Sequence, residues 1–459
     1  MGTKRQGRPK WPWILGGVVG SCLLLIGLLG FVTGVGPYDL PSRSRELDDV
    51  IAESRRLGLP MTAAELLGPA PSPDDNAAPG VFAAIELLED TSDDFMLTTL
   101  ESDPALQSQQ AAWLQNNSAH LDAISALLRE KPAWRVERDY DLGPNLLLPE
   151  FATLKKVAKT FGIRGVRSAR EKDTDLAIND FVASRRLAEK LATEPTLIGL
   201  LVSIAINSIC LRTIESYADS WRGDAARLRA LEDAVAGTMF VRDPRIALRG
   251  EFYMELVTCR NLQLYGGIRA LTDSGMDLVS RPAPHPSKIK RTGLPRKMFE
   301  RASLTTIAEA WNEVFAAFRD QGDRNAPWGD IMERRTAQME GRYRASEILA
   351  QILFPVFSQA QLAISNDEVN QNLALAFVRA FRHRAENGKW PKDLEEIESA
   401  FPDPFNPGKT IQAKFSDTEV RVWSVGRDKK DDGGLQRSEP GDGDDTAFVW
   451  PPSLRRPPE

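Results

Sequence analysis

Histidine is scarce, with 3 in 459 residues. His120, His285 and His383 are scattered, so a histidine-based triad or a zinc site would need all its members from distant regions. Catalytic signatures are missing as well. The chain has no HExxH, no GxSxG, no P-loop, no CxxC and no GxGxxG between a strand and a helix, which removes the chemistries those spacings define. Surplus positive charge is absent: the net charge is −6, and no basic patch with interleaved aromatics occurs beyond the N-terminus, which argues against a nucleic-acid surface. Cysteine is rare too, with 3 residues, so stability does not rest on a dense disulfide framework.

What is present points first to a membrane. Lys4, Arg5, Arg8 and Lys10 precede a stretch from Trp11 to Tyr38 without any charged side chain. Its core over 14–35 would rise ~33 Å as a helix, enough to cross the hydrocarbon layer. Trp11, Trp13 and Tyr38 stand where interfacial aromatics belong, and the positive-inside rule puts the basic tail in the cytoplasm. The segment is longer than the apolar core of a cleaved signal, and Gly34-Val35-Gly36-Pro37 is a poor cleavage site. Val19-Gly20-Ser21-Cys22 resembles a lipoprotein box, but Leu23-Leu24-Leu25-Ile26 follows at once where a lipidated N-terminus is polar. An uncleaved single-pass anchor is expected, with the rest of the chain exported across a bacterial inner membrane. Of the thiols, Cys22 falls in the anchor; Cys210 and Cys259 sit in apolar helical contexts, either as buried free thiols or as a bridge.

At 459 residues the chain exceeds one ordinary core, and 42% hydrophobic with 27% charged residues makes its bulk globular. Gly68-Pro69-Ala70-Pro71-Ser72-Pro73 reads as an extended spacer or a strapped-down loop. From Asn76 to Asn387 apolar residues recur at helical spacing, over 111–128, 148–169, 175–193, 196–217, 225–235, 244–272, 302–318, 331–363 and 367–384. Breakers such as Glu194-Pro195, Arg222-Gly223-Asp224 and Arg242-Asp243-Pro244 make neighbours antiparallel hairpins. The apolar run within 187–211 is too short for a second span once Glu189, Lys190, Glu194 and Pro195 are set aside, and predicts a central buried helix. Prolines and basic residues over 280–295, with Lys288, Lys290 and Arg291, predict a solvated loop. Acid clusters such as Glu46, Asp48 and Asp49 read as solvated helix faces.

The C-terminal segment carries the most specific chemistry. Two short β-favouring runs, 411–415 and 420–425, lead into Asp428, Asp431, Asp432, Asp444 and Asp445. Gly426, Gly433, Gly434, Gly441 and Gly443 permit positive φ, so this loop can turn its oxygens inward around a hard cation such as Ca²⁺. A solvated acidic loop offset by Lys429, Lys430 and Arg437 is the alternative.

Asn387-Gly388-Lys389-Trp390-Pro391, Asp403-Pro404-Phe405-Asn406-Pro407 and Val422-Trp423-Ser424-Val425-Gly426-Arg427-Asp428 together resemble the C-terminal region of the type II secretion major pseudopilin. That resemblance implies a helix, a Gly-aromatic-Pro turn, a small antiparallel sheet and a Ca²⁺ loop, with Asp428 at the family's loop aspartate and Asp444 or Asp445 at its second acidic position. The anchor departs from the family, since no acid occurs between Met1 and Tyr38 where a processed pilus subunit carries a Glu. The whole layout, with Asp75-Asn76-Ala77-Ala78-Pro79 and Glu194-Pro195-Thr196-Leu197-Ile198, resembles a group of bacterial membrane-anchored proteins, which implies an architecture and no activity.

The expected fold is mainly α. It comprises a cytoplasmic tail (1–10), a transmembrane anchor (11–36), juxtamembrane helices and spacer (37–75), an irregular α-helical bundle or solenoid (76–364) and a pseudopilin-like α+β module (365–459). The expected function is a non-catalytic binding or scaffold protein of the envelope, attached to the membrane by its N-terminal helix, with protein partners and no nucleic acid. The competing expectations are an accessory of a type II secretion machine and a hydrolase with a carboxylate site.

Overall fold

The computed structural model describes residues 40–89, 104–260, 294–322, 326–339, 347, 350, 354, 357–436, 445–451 and 454. The expected tail and anchor over 1–36, Cys22, most of the basic loop with His285, and Asp444 lie outside them. Among the described residues the chain is mainly helical, with one small sheet. In chain order the helices are α1 (Leu40–Arg56), α2 (Ala63–Leu67), α3 (Ala78–Ile85), α4 (Pro104–Asn116), α5 (Ser118–Glu130), α6 (Glu150–Arg170) and α7 (Thr174–Leu191). They continue as α8 (Leu197–Ser220), α9 (Ala225–Gly237), α10 (Pro244–Arg260), α11 (Leu294–Gln321), α12 (Trp328–Met339) and α13 (Phe357–Asn387). Strands β1 (Gln412–Phe415), β2 (Val420–Ser424) and β3 (Thr446–Trp450) close the chain. Helix α13 runs unbroken through position 364/365.

Two compact units are present. The first holds, among the described residues, 40–61, 141–145 and those from 252 to 358; the second holds 62–140, 146–251 and those from 359 on. In the first, α1 packs along α11, and Trp311 anchors an aromatic cluster with Phe252, Phe315 and Phe357. Its indole Nε1 donates to Glu255 Oε2 at 2.7 Å, so the buried polar end of the ring is satisfied.

In the second unit α6, α7 and α8 pack on one another, and the helices α7, α8 and α9 each begin at a side-chain cap. Asp173 accepts from Leu176 N at 3.1 Å, Thr196 from Gly199 N at 2.9 Å and Asp224 from Arg227 N at 3.1 Å, each satisfying an otherwise orphaned helix N–H. Arg164 on α6 grips Asp180 on α7 through two hydrogen bonds of 2.8 and 2.6 Å. Helix α8 is, among the described residues, the one long and apolar enough to cross a membrane. Yet Leu200, Ile206, Leu211 and Ile214 are buried in the protein, and the same face buries Asn207 and Glu215. Those polar groups need protein partners, which fits the central core helix expected from the sequence.

One polar network knits α7, α8 and α13. Arg185 donates to the Asn207 side chain, to Thr238 O at 2.6 Å and to Gln371 Oε1 at 2.8 Å. Asn207 Nδ2 donates to Asp367 Oδ1 at 2.7 Å, and Arg242 pairs with the other Asp367 oxygen and reaches Ser203 Oγ at 3.2 Å. Both guanidiniums also lie over Phe240, at 5.4 and 4.5 Å from its ring centre.

The sheet has order β1-β2-β3 and is antiparallel, with Phe415 opposite Val420 and Val422 opposite Phe448. Val420, Val422, Phe448 and Trp450 join the helical core, while Trp423, Ala447 and Val449 form a smaller cluster. As an edge strand, β3 would leave donors free; instead Val449 N donates to Glu215 at 2.7 Å and Trp450 Nε1 to Asp219 at 2.7 Å, both on α8.

Cys210 and Cys259 are free and buried. Burial pushes the Cys210 thiol up to about 12 and raises Cys259 as well. Neither thiol should react with iodoacetamide in the native protein at neutral pH, and both should react in denaturant; mass spectrometry of a native sample carrying either adduct would contradict this burial.

Candidate functional site

The proline-rich stretch folds as a strapped-down loop. Arg135 Nη1 donates to the carbonyls of Leu67, Gly68 and Pro69 at 3.1, 3.3 and 3.4 Å. Lys131 Nζ donates to Pro73 O at 3.0 Å, and Arg249 Nη2 to Glu65 O at 3.2 Å. Proline removes backbone donors but leaves every carbonyl, so cationic side chains are the natural clamps for such a segment. Asn76 then locks the strap to the chain after α5: its Nδ2 donates to Arg135 O at 2.8 Å and its Oδ1 accepts from Arg135 N at 2.9 Å. The Asp75-Asn76-Ala77-Ala78-Pro79 motif is thereby accounted for, with Pro79 inside the first turn of α3.

Between strap and helices lies a groove of about 900 Å³. Leu66, Pro69, Pro71, Trp134 and Pro195 supply its apolar walls. Its charged lining is Arg129, Lys131, Arg135, Arg186, Lys190 and Arg249 against Glu189 and Glu194. Both acids are already neutralised, Glu189 by Arg186 at 2.6 Å and Glu194 by Arg138 at 3.4 Å. Lys131, Lys190 and Arg249 bond main-chain carbonyls instead, so their positive charge is not cancelled by any carboxylate among the described residues. Burial lowers the Lys190 ammonium, as expected for a cation with only neutral acceptors.

Comparison with protein-family models, curated proteins and solved structures finds no match for this chain. The chemistry of the groove therefore rests on its own residues. Glu194 is its one buried acid, 3% exposed, and accepts from Trp134 Nε1 at 3.2 Å, Arg138 Nε at 3.4 Å and Tyr140 OH at 3.4 Å. Burial raises its carboxyl, opposed by Arg138 and the Trp134 indole. Burial and the Glu194 charge raise the Tyr140 hydroxyl far from any physiological ionisation. Both carboxylate oxygens of Glu194 are held by donors of its own chain. Such a carboxylate is an organiser of Trp134, Arg138 and Tyr140, not a poised base.

Of the C-terminal acids expected to hold a cation, Asp428, Asp431, Asp432 and Asp445 are among the described residues. Asp431 Oδ1 accepts from Trp423 Nε1 and Gly433 N, both at 3.0 Å; burial would raise this carboxyl, but those donors hold it below the usual range. Asp445 Oδ2 accepts from Asp432 N at 3.0 Å and Gly434 N at 2.7 Å. Burial nevertheless pushes Asp445 up to about 6. Asp428 is apart from these, accepting from Lys430 N at 3.0 Å. Among the described residues no three carboxylate, histidine or cysteine side chains converge on a point that could hold a metal. A Ca²⁺ cage needs six to eight oxygens. Asp445 Oδ1 is the one oxygen of these three acids that is buried without a partner.

The remaining C-terminal signature residues are structural. Gly388, at φ 71, takes the left-handed conformation that ends α13, and Trp390 packs on Phe381 at 5.2 Å and Trp450 at 6.2 Å. Asp403 ties the two later motifs together, accepting from Phe405 N at 3.0 Å, Ser424 Oγ at 2.8 Å and Val425 N at 3.2 Å. His383 meets Lys389 O at 3.1 Å in the same turn.

Proposed function

We propose that this protein is a non-catalytic binding protein of the bacterial envelope, held by an N-terminal membrane anchor, whose strap groove takes an extended acidic segment of a protein partner. The observation that carries the reading is the groove's charge: three cations bonded only to carbonyls, beside acids already neutralised. An acidic ligand gains from that field without displacing an existing ion pair. Trp134 and the flanking prolines give an extended chain rigid apolar walls to lie against.

The test is chemical crosslinking of the full chain in envelope extracts, comparing wild type with Lys131→Glu/Arg249→Glu. Wild type should yield a defined adduct at low salt that weakens about tenfold or more by roughly 0.5 M salt and is lost in the double variant. An adduct of equal yield in the variant would remove the groove from the function.

A further inference from the structure

Beyond the strap groove, the second unit holds a separate polar pocket of about 280 Å³ between α8, α13 and the start of β3. Its placement follows from the buried network. Asn207 on α8 and Asp367 on α13 are hydrogen-bonded at 2.7 Å, which fixes the two helices side by side. One residue along, Ser208 and Arg212 stand one turn apart on α8, and Asn366 and Asn370 one turn apart on α13, all four lining the pocket. Gln436 and Asp445 line it from the other side.

Two features are unusual for a pocket that is only structural. Asp445 is 4% exposed, and its Oδ1 is buried with no hydrogen-bond partner. A buried carboxylate oxygen left unpaired bears its full desolvation penalty, so it is normally satisfied in the working state. Arg212, exposed on α8, lines the same pocket without an ion pair to Asp445. Among the described residues the pocket therefore combines a carboxylate with one unpaired oxygen, an arginine without an ion pair, and a ring of amide and hydroxyl groups. Leu211 and Phe448 add an apolar wall.

The geometry points to a binding site for a free α-amino acid with an aliphatic side chain: its ammonium on Asp445 Oδ1, its carboxylate on Arg212, and its side chain against Leu211 and Phe448. The amides of Asn366, Asn370 and Gln436 serve either end, since each carries a donor and an acceptor. A ligand bearing both charges satisfies the orphaned oxygen and adds no net charge to the protein.

Titration calorimetry of the full chain in detergent separates the possible ligands, using L-leucine, isopentylamine (which lacks the carboxylate), isocaproate (which lacks the ammonium) and CaCl₂. L-Leucine should bind, with isopentylamine about tenfold or more weaker and isocaproate silent, as expected for loss of one charge-assisted hydrogen bond each. Arg212→Gln, on an exposed helix position, should bring L-leucine to the level of isopentylamine. Asp445→Asn should abolish binding, because the amide can keep the bonds from Asp432 N and Gly434 N while turning a donor toward the ammonium; circular dichroism checks that it folds. Heat from CaCl₂ with none from L-leucine overturns the assignment in favour of a cation. Silence from all four compounds, isopentylamine matching L-leucine, or L-leucine binding untouched by Arg212→Gln overturns it as well.

Discussion

Asp367→Ala is expected to lower the stability of the second unit by about 3–5 kcal/mol, the range for removing one partner of a buried ion pair. The size follows from the count of charges. Arg185 and Arg242 are both almost wholly buried, and among the described residues Asp367 is the one carboxylate bonded in their network. Burial already disfavours both guanidiniums, pushing Arg185 down to about 10 and Arg242 down to about 9, so each remains charged at pH 7. Without Asp367 two cations would share a core with only neutral acceptors: Asn207, Thr238, Gln371 and Ser203. The two contacts with Phe240 offset only ~1–2 kcal/mol each in a desolvated site. Urea unfolding monitored by circular dichroism gives the measurement, with Asp367→Ala/Arg242→Met as partner variant. The double change removes one charge of each sign and should recover a large part of the loss, giving a coupling of about 2 kcal/mol or more. A loss under about 1 kcal/mol for Asp367→Ala would mean that water or a mobile neighbour screens the pair.

The sequence does not show this network, in which Arg242 is noticed only as part of a helix breaker, and the reason is general. Arg185 sits three residues from Ala188 and two from Leu187 on a helix that also buries Asp180 and Lys190, and Asp367 is bonded across 160 residues to Asn207. Periodicity reports which face is apolar; it does not report which charged residue lies on the apolar side when its partner comes from far along the chain. Local rules did better. The breakers Glu194-Pro195 and Arg222-Gly223-Asp224 predicted helix ends, and Thr196 and Asp224 cap the helices that follow. Helices expected over 175–193 and 196–217 are α7 and α8 with ends shifted by a few residues. The two β-favouring runs are β1 and β2, whereas β3 was not expected, because 446–450 directly follows an Asp/Gly stretch whose acids drew the reading.

The candidate sites were legible as motifs before they were legible as geometry. Asp75-Asn76 and Glu194-Pro195 were noted for their pattern alone; the structure gives Asn76 the strap's closure and Glu194 the organisation of Trp134, Arg138 and Tyr140. The acidic ending showed the reverse difficulty. Counting carboxylates does not show that Asp431 and Asp445 each take donors from turns of their own loop, because those turns depend on backbone angles that composition does not fix. Gly434 makes the point: its N–H feeds Asp445, and a Cβ there would lie 2.4 Å from Arg421 Cδ.

Gly250→Ala should be the most damaging glycine-to-alanine change among the described residues, costing about 3 kcal/mol, the upper end of ordinary overpacking. A Cβ at this position on α10 would stand 1.6 Å from Pro195 O and 2.5 Å from Pro195 C. Those atoms are backbone, so no rotamer change relieves the overlap and the two segments must move apart. What they would lose is specific. The next residue, Glu251, accepts from Leu197 N at 2.7 Å and so places a carboxyl at the N-terminus of α8, where the helix dipole favours negative charge. Pro195 and Glu194 also line the strap groove, so the displacement reaches the site and should weaken partner binding together with stability. Gly237→Ala is the matching control: a Cβ there meets nothing within 4 Å, and alanine restrains the unfolded chain at the end of α9. It should be neutral or stabilise by about 0.5–1 kcal/mol. Urea midpoints of the two variants moving in opposite directions would establish that the cost at Gly250 is the close approach to Pro195, whereas equal small losses would show that α10 can part from α8 without penalty.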